Sequence, residues 1–270
     1  MVSFQGASES YNRFAQPQAL VAQLLSQQLL NNGSVGASAL NPDCLIDLGC
    51  GTGLATLSWL QHRQPPTLTI LVDAAPSMLK AAVSALRPRV QHLQGLLQDA
   101  FKPSLVSALE SKAGHEGSRL ILSSYLLQWS PSPLATLTEI WANCLRPGEF
   151  LALALPDQRS FAALHCALAE VGLPFRGLCL PMRDDLLGDH PITTLRKHFQ
   201  VLAAGSCPTT VAVDSPFDYL RHFLEIGATS ERPAYNLGDS VRLFRSLTRF
   251  FKDRSPKLDY YTTWMILRRC

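Results

Sequence analysis

Three glycines at alternate positions, Gly49, Gly51 and Gly53, stand directly behind the apolar run Cys44-Leu45-Ile46-Asp47-Leu48 in "CLIDLGCGTGLATLSWL", residues 44–60. A buried strand needs apolar side chains, and that run supplies most of one. Leu54, Leu57 and Leu60, three apart, predict a helix behind the glycines. Glycines between strand and helix admit backbone angles closed to other residues and let a ligand approach the main chain. The same triplet also suits a tight turn that holds no ligand, since short motifs match by accident.

The rhythm of the next hundred residues favours a ligand site. "TLTILVD" (67–73) reads as a second strand, and "APSMLKAAVSAL" as a helix with Pro76 in its first turn. "VQHLQGLLQDA" carries a third strand and a loop ending at Asp99-Ala100. "RLILSSYLLQW" gives a fourth strand, "PLATLTEIWANCL" a helix stopped by Arg146-Pro147-Gly148, and "EFLALALP" a fifth strand. Strands alternating with helices predict a parallel sheet covered on both faces, whose ligands bind beyond the carboxyl ends of the strands. Asp47, Asp73, Asp99 and Ser123-Ser124 all fall near such ends. Loop 110–118, "ESKAGHEGS", reads as an exposed excursion.

Past residue 156 the pattern changes. "SFAALHCALAEVG" and "PITTLRKHF" look helical, "FQVLAAGS" or "TTVAVD" looks like a strand, and "FDYLRHFLEIGA" and "DSVRLFRSLTRFF" read as amphipathic helices. "DYYTTWMILRR" closes the chain as an apolar, aromatic strand. The expected organisation is one domain over 1–270, with a core at 40–156. N-terminal helices (1–32) and inserted helices (about 157–197 and 214–256) form a lid.

Charge and cysteines exclude some partners. A net charge of +3 is too weak to announce nucleic acid, and no basic stripe with interleaved aromatics is present. Residues 1–175 hold 10 Lys and Arg against 11 Asp and Glu, whereas residues 176–270 hold 14 against 10. The positive excess is therefore local. The seven cysteines form no C-x-x-C pair, so no metal is implied, and Cys166 in "FAALHCALAEV" reads as a buried structural thiol. No run is long enough to span a bilayer and "QALVAQLLSQQLL" lacks a cleavable signal's layout, which points to the cytoplasm.

The dinucleotide fingerprint needs a small third residue, but Leu54 or Thr56 stands there. The pattern G-x-G-x-G behind an acidic residue instead resembles motif I of the S-adenosylmethionine-dependent methyltransferases. That resemblance implies a Rossmann-like class I sheet, mostly parallel, with helices on both faces and an antiparallel C-terminal strand. It also implies S-adenosylmethionine as cofactor. By the same resemblance, Asp47 would hold the methionine ammonium group, and Gly49, Gly51 and Gly53 would let the main chain pass close to methionine and ribose. Asp73, followed by Ala74, would accept from the ribose hydroxyls. Met78 would flank the adenine, Asp99 and Ala100 would meet its amino edge, and Ser123 would line the end of strand four.

Further segments are more particular. "SYNRFAQPQALVAQLL", "SSYLLQW", "LRHFLEIGATS" and "KLDYYTTWMILRRC", in that order, resemble the malonyl-acyl-carrier-protein O-methyltransferases of biotin synthesis. The resemblance implies methylation of the free carboxylate of a malonyl thioester, on acyl-carrier protein or on CoA. Such a carboxylate is already ionised near neutrality, so no general base is needed, and alignment and exclusion of water do the work. Tyr11, Gln128, Trp129 and Arg221 are the candidates that position it. Arg176 and Arg183 flank a segment, "PFRGLCLPMRDDL", where the family has one arginine before a Phe-Leu pair.

Arg242, Arg245, Arg249 and Lys252 recur at helical spacing, with Phe244, Leu247 and Phe251 on another face. Because acyl-carrier proteins are acidic, that basic face is the expected docking surface. The expected partners include neither nucleic acid nor membrane, and the protein is expected to act as a monomer. Two alternatives stay open: a methyltransferase for another small acid or metabolite, and a non-catalytic methyltransferase-like subunit.

Overall fold

Cys44–Leu48 forms β1, buried along its whole length, as its largely apolar composition requires of a central parallel strand. The computed structural model describes residues 11–35, 37–114, 117–175, 178–181, 183–187, 194–225 and 235–270. Around β1 lie β2 (Leu68–Asp73), β3 (Leu93–Leu97), β4 (Arg119–Ser124), β5 (Phe150–Pro156), β6 (Phe199–Ala212) and β7 (Lys257–Arg269). They make a seven-stranded sheet in the order β3-β2-β1-β4-β5-β7-β6. Strands β1 to β5 run parallel, and β7 lies antiparallel to both β5 and β6. The order reverses beside β1, with β2 on one side and β4 on the other. This is the switch point at which such sheets bind ligands.

Helices cover both faces. In chain order they are α1 (Tyr11–Phe14), α2 (Gln16–Asn31), α3 (Ala37–Leu40), α4 (Leu54–Leu60), α5 (Pro76–Leu86) and α6 (Ser104–Ala113). Then come α7 (Pro133–Ala135), α8 (Ala162–Val171), α9 (Arg183–Leu187), α10 (Thr194–His198), α11 (Pro216–Glu225) and α12 (Leu237–Phe250). Leu25 and Leu29 of α2, Leu164 and Leu168 of α8, and Leu243 and Leu247 of α12 share one core with Leu122, Ala152 and Ile266 of the sheet. On the opposite face Leu105 and Leu109 of α6 pack with Ile46, Val72, Ile121 and Trp141.

Five details differ from the sequence expectations. Residues 110–113 belong to α6, whose apolar Leu105 and Leu109 bury against the sheet, so of the described residues in 110–118 only Gly114, Gly117 and Ser118 lie outside a helix. The single helix expected over 133–145 is broken into α7, a π-helical stretch Thr136–Ile140 and a 3-10 turn Trp141–Cys144. The break accompanies a fully buried Trp141 whose indole donates to Ala100 O at 2.8 Å, bracing the loop after β3. The two short strand candidates between 199 and 214 fall largely in one fourteen-residue strand, β6, held along its length by β7. Cys166 is exposed, because the buried face of α8 is carried by Ala163, Leu164, Ala167 and Leu168. Phe244 is also exposed, since the core face of α12 passes through Leu243, Ser246 and Leu247.

Candidate active site

The glycine loop leaves β1 and turns into α4 with all three glycines at positive φ. Two of them show why no other residue serves. A Cβ on Gly49 would come within 2.5 Å of the Leu126 side chain, so the turn after β4 packs straight onto this glycine. A Cβ on Gly51 would meet nothing within 4 Å, yet its φ of +53° still excludes most side chains. Gly49 is therefore a packing requirement, while Gly51 faces open space against bare main chain.

Two carboxylates frame the loop. Asp47, 1% exposed, accepts from Thr56 Oγ1 at 2.7 Å and from Thr56 N at 3.3 Å, which ties β1 to the first turn of α4. Burial pushes its carboxyl up to about 7, against the pull of the two Thr56 bonds. Asp73, at the end of β2, accepts from Gly51 N at 2.9 Å and from Ala75 N at 2.8 Å. Its carboxyl is raised by burial and held partly back by those backbone donors. Asp73 thus carries a carboxylate oriented by main chain beside the most open glycine.

Asp99 accepts from Phe101 N at 2.9 Å, and Ala100 is buried behind it. Met78 is buried on α5, and Ala74 is exposed between Asp73 and α5. Ser123 is 1% exposed, with its hydroxyl buried and unpartnered. Tyr11 is half-buried on α1, and burial together with the charge on Asp73 raises its phenol. Gln128 is buried and Trp129 half-buried on the 3-10 turn Leu127–Trp129. Arg221 is exposed on α11. Arg176 and the "IGATS" part of "LRHFLEIGATS" lie outside the described residues, and of Arg183 only the backbone, in α9, is described.

Sequence reasoning missed several contributors. Thr52 Oγ1 donates to Asn12 Oδ1 at 2.6 Å, so α1 closes onto the glycine loop through the residue next to Tyr11. Tyr125 sits at positive φ just past β4, and its hydroxyl lies 2.6 Å from Thr262 Oγ1. Asp157, fully buried after β5, takes both Arg159 and Thr263. Neither the Asn12 nor the Tyr125 contact has a local sequence signal, because each partner is dozens of residues away.

A half-buried, oriented acid at the end of β2, an open glycine and unpartnered buried oxygens at the end of β4 fit a polar, cationic nucleoside ligand. The family described as "Methyltransferase domain" matches residues 11–204. The chain belongs to that family. It is a class I S-adenosylmethionine-dependent methyltransferase, and S-adenosylmethionine is its cofactor. Among solved structures it is similar to an S-adenosylmethionine-dependent methyltransferase from Anabaena variabilis, with TM-score 0.55 and 14% identity over 97% of this chain and 95% of that one. The YcgJ protein of Bacillus subtilis gives 0.54 and 12% over 90% of this chain and 97% of that one.

Among relatives, the biotin biosynthesis bifunctional protein BioCD of Bordetella avium is 28% identical over 97% of this chain, which spans 51% of that protein's length. The malonyl-(acyl-carrier protein) O-methyltransferase of Anoxybacillus flavithermus is 25% identical over 73% of this chain and 71% of its own length. A trans-aconitate 2-methyltransferase from Deinococcus radiodurans is 30% identical over 44% of this methyltransferase and 40% of its own length. Among the described residues no helix is long and apolar enough to cross a membrane, and no cluster of potential metal ligands occurs.

Proposed function

We propose that this methyltransferase esterifies the free carboxylate of a malonyl thioester, carried on acyl-carrier protein or CoA, as a step toward biotin. The observation that carries the reading is the reach of the likeness to the Bordetella bifunctional protein. It covers 97% of the chain and so continues past residue 204, where the family match ends, into α11, α12 and β7. S-adenosylmethionine supplies a methyl group already activated on a sulfonium. The protein's residues have then to orient the ionised carboxylate and keep water out, a task for positioning groups rather than for a general base. Tyr11, whose phenol feels the charge on Asp73, and Arg221 on α11 are the proposed acceptor contacts.

The partner follows from the same reading. Of the four cations on α12 and its C-terminal end, Arg249 pairs with Glu170 of α8, and Arg242 donates to Val171 O at 2.5 Å. Arg245 and Lys252 are exposed and are the proposed steering charges for an acidic carrier protein. A second reading, methylation of a small free polyacid, is favoured by the trans-aconitate relatives.

One assay separates the readings. The purified protein with labelled S-adenosylmethionine is offered malonyl-carrier protein, malonyl-CoA and trans-aconitate, and base-labile methyl ester is counted. Label on the malonyl thioesters is expected, and label on trans-aconitate alone would select the second reading. With an active thioester assay, Arg245→Glu combined with Lys252→Glu should raise KM severalfold for the carrier protein and leave malonyl-CoA nearly unchanged.

A further inference from the structure

The turn after β4 is held in a conformation that its residue disfavours. Tyr125 has φ +57°, in the left-handed region that bulky side chains rarely enter. Four contacts fix it there. Its N–H donates to Ala154 O at 2.8 Å, and its hydroxyl lies 2.6 Å from Thr262 Oγ1. Its ring centroid is 5.9 Å from that of Tyr260, and its carbonyl accepts from Gln128 Nε2 at 2.7 Å. Thr262 pairs with Pro156 at the carboxyl end of β5, so β4, β5 and β7 together hold the turn. Such over-determined left-handed residues gather where a fold must present a group at a fixed place.

The group presented here is the side chain of Gln128. A carbonyl can only accept, so the amide atom facing Tyr125 O is the nitrogen, and the orientation of the amide is thereby settled. Gln128 is 4% exposed, and its remaining atom, Oε1, is buried with no hydrogen-bond partner, as are the hydroxyls of Ser123 and Ser124 beside it in sequence. Leu126, inside the same turn, packs on Gly49, so the turn that carries Gln128 lies against the glycine loop at the switch point. Buried polar atoms without a protein partner are satisfied by ordered water or by a ligand. An amide oxygen has no proton to offer a carboxylate. It suits a positively charged or proton-bearing group.

We propose that Gln128 serves the methyl donor rather than the acceptor: its Oε1 faces the sulfonium end of S-adenosylmethionine, and the left-handed turn at Tyr125 is the positioning device that presents it. The inference rests on the cofactor and not on the acceptor proposed above, so it stands whichever acid is methylated. Its consequence is selectivity between donor and product. S-adenosylhomocysteine keeps the ammonium, ribose and adenine but replaces the sulfonium with a neutral thioether, so only the donor gains from an oxygen placed there.

Calorimetric titration with both nucleosides tests this without any acceptor. Gln128→Leu should weaken S-adenosylmethionine about tenfold, the scale of a hydrogen bond to a charged group, with S-adenosylhomocysteine within about twofold. Gln128→Lys keeps a donor for Tyr125 O but replaces the oxygen with a like charge, and should cost the donor still more affinity. Tyr125→Phe keeps the ring and loses the Thr262 bond. It should move the same ratio in the same direction by a smaller factor, which a purely structural tyrosine would not do. If Gln128→Leu fails to fold by circular dichroism, the ratio in the other two variants decides. Equal losses for both nucleosides would place Gln128 on the part they share and overturn the proposal, as would an unchanged ratio.

Discussion

The two sides of the cofactor site handle backbone strain in opposite ways. On the β1–β2 side the chain takes three left-handed residues at alternate positions and places a glycine at each: Gly49, Gly51 and Gly53. On the β4–β5 side it takes two, Tyr125 and Phe161, and places aromatic residues there. A left-handed non-glycine residue costs on the order of 1–3 kcal/mol, which must be offset by bonds and packing from elsewhere in the fold. Tyr125 and Phe161 find that offset in one cluster, each with its ring against Tyr260, whose hydroxyl in turn lies 2.7 Å from His222 of α11. Where glycine carries the turn, main chain is left bare for a ligand. Where an aromatic carries it, the turn is braced for positioning side chains.

The contrast is most easily broken within the glycine loop itself. Gly49→Ala combines a contact at 2.5 Å with positive φ, so a loss of about 3 kcal/mol or more in unfolding free energy is expected in denaturant titration. Gly51→Ala meets no neighbour and should lose only about 1 kcal/mol, yet its added methyl enters the open space proposed for the cofactor, so nucleoside binding should fail. Similar stability losses in the two variants would erase the distinction between packing glycine and ligand glycine.

Asp73→Ala comes next in size. Loss of the acceptor proposed for the ribose hydroxyls should cost about 1.5–3 kcal/mol, or roughly one to two decades of S-adenosylhomocysteine affinity. Because the carboxylate also receives Gly51 N, the loop should loosen as well, visible as faster amide exchange there. Unchanged affinity would remove Asp73 from the site.

A smaller effect concerns Asp47, whose folded carboxyl is raised to about 7 from the ordinary carboxylate range. A raised carboxyl favours the protonated folded protein. Its stabilising contribution is therefore fully present below about pH 4 and lost as pH rises through about 7. The melting temperature of the apoprotein should reflect this decline between those limits, and Asp47→Asn should flatten it. A cationic ligand favours the ionised carboxylate, so binding S-adenosylmethionine near pH 6.5 should release protons. That release appears as a buffer-dependent heat in calorimetry and should vanish above pH 8. Heat that is independent of buffer at both values would detach Asp47 from the donor's charge.

Smallest of all, Tyr125→Phe should lower stability by about 1 kcal/mol, the worth of its bond to Thr262. A loss near zero in denaturant titration would mean that packing alone holds the left-handed turn.

How much of this was legible in the sequence follows from how local each signal is. The run Cys44–Leu48, the alternate glycines and the carboxylates Asp47, Asp73 and Asp99 lie at or beside strand ends, so strand periodicity alone orders them. The parallel sheet, the cofactor and the antiparallel last strand were readable from those short stretches and from the resemblance they carry. Length of contact defeated the rest. Asn12 meets Thr52 across 40 residues, and Tyr125 meets Thr262 across 137. The face that α12 buries depends on where α8 happens to lie, which is why Phe244 is exposed and Arg249 is tied to Glu170.

Sequence by itself determined which residue types stand at the strand ends, because backbone freedom and ionisable groups are written residue by residue, and the resemblance those residues carry pointed to the cofactor. Only the tertiary structure decided how those groups are oriented. It alone shows that Gly51 N turns the Asp73 carboxylate and that the amide nitrogen of Gln128 is spent on Tyr125 O. The physical reason is that a hydrogen bond has a direction as well as partners, and direction is fixed only when β4, β5 and β7 close on one another.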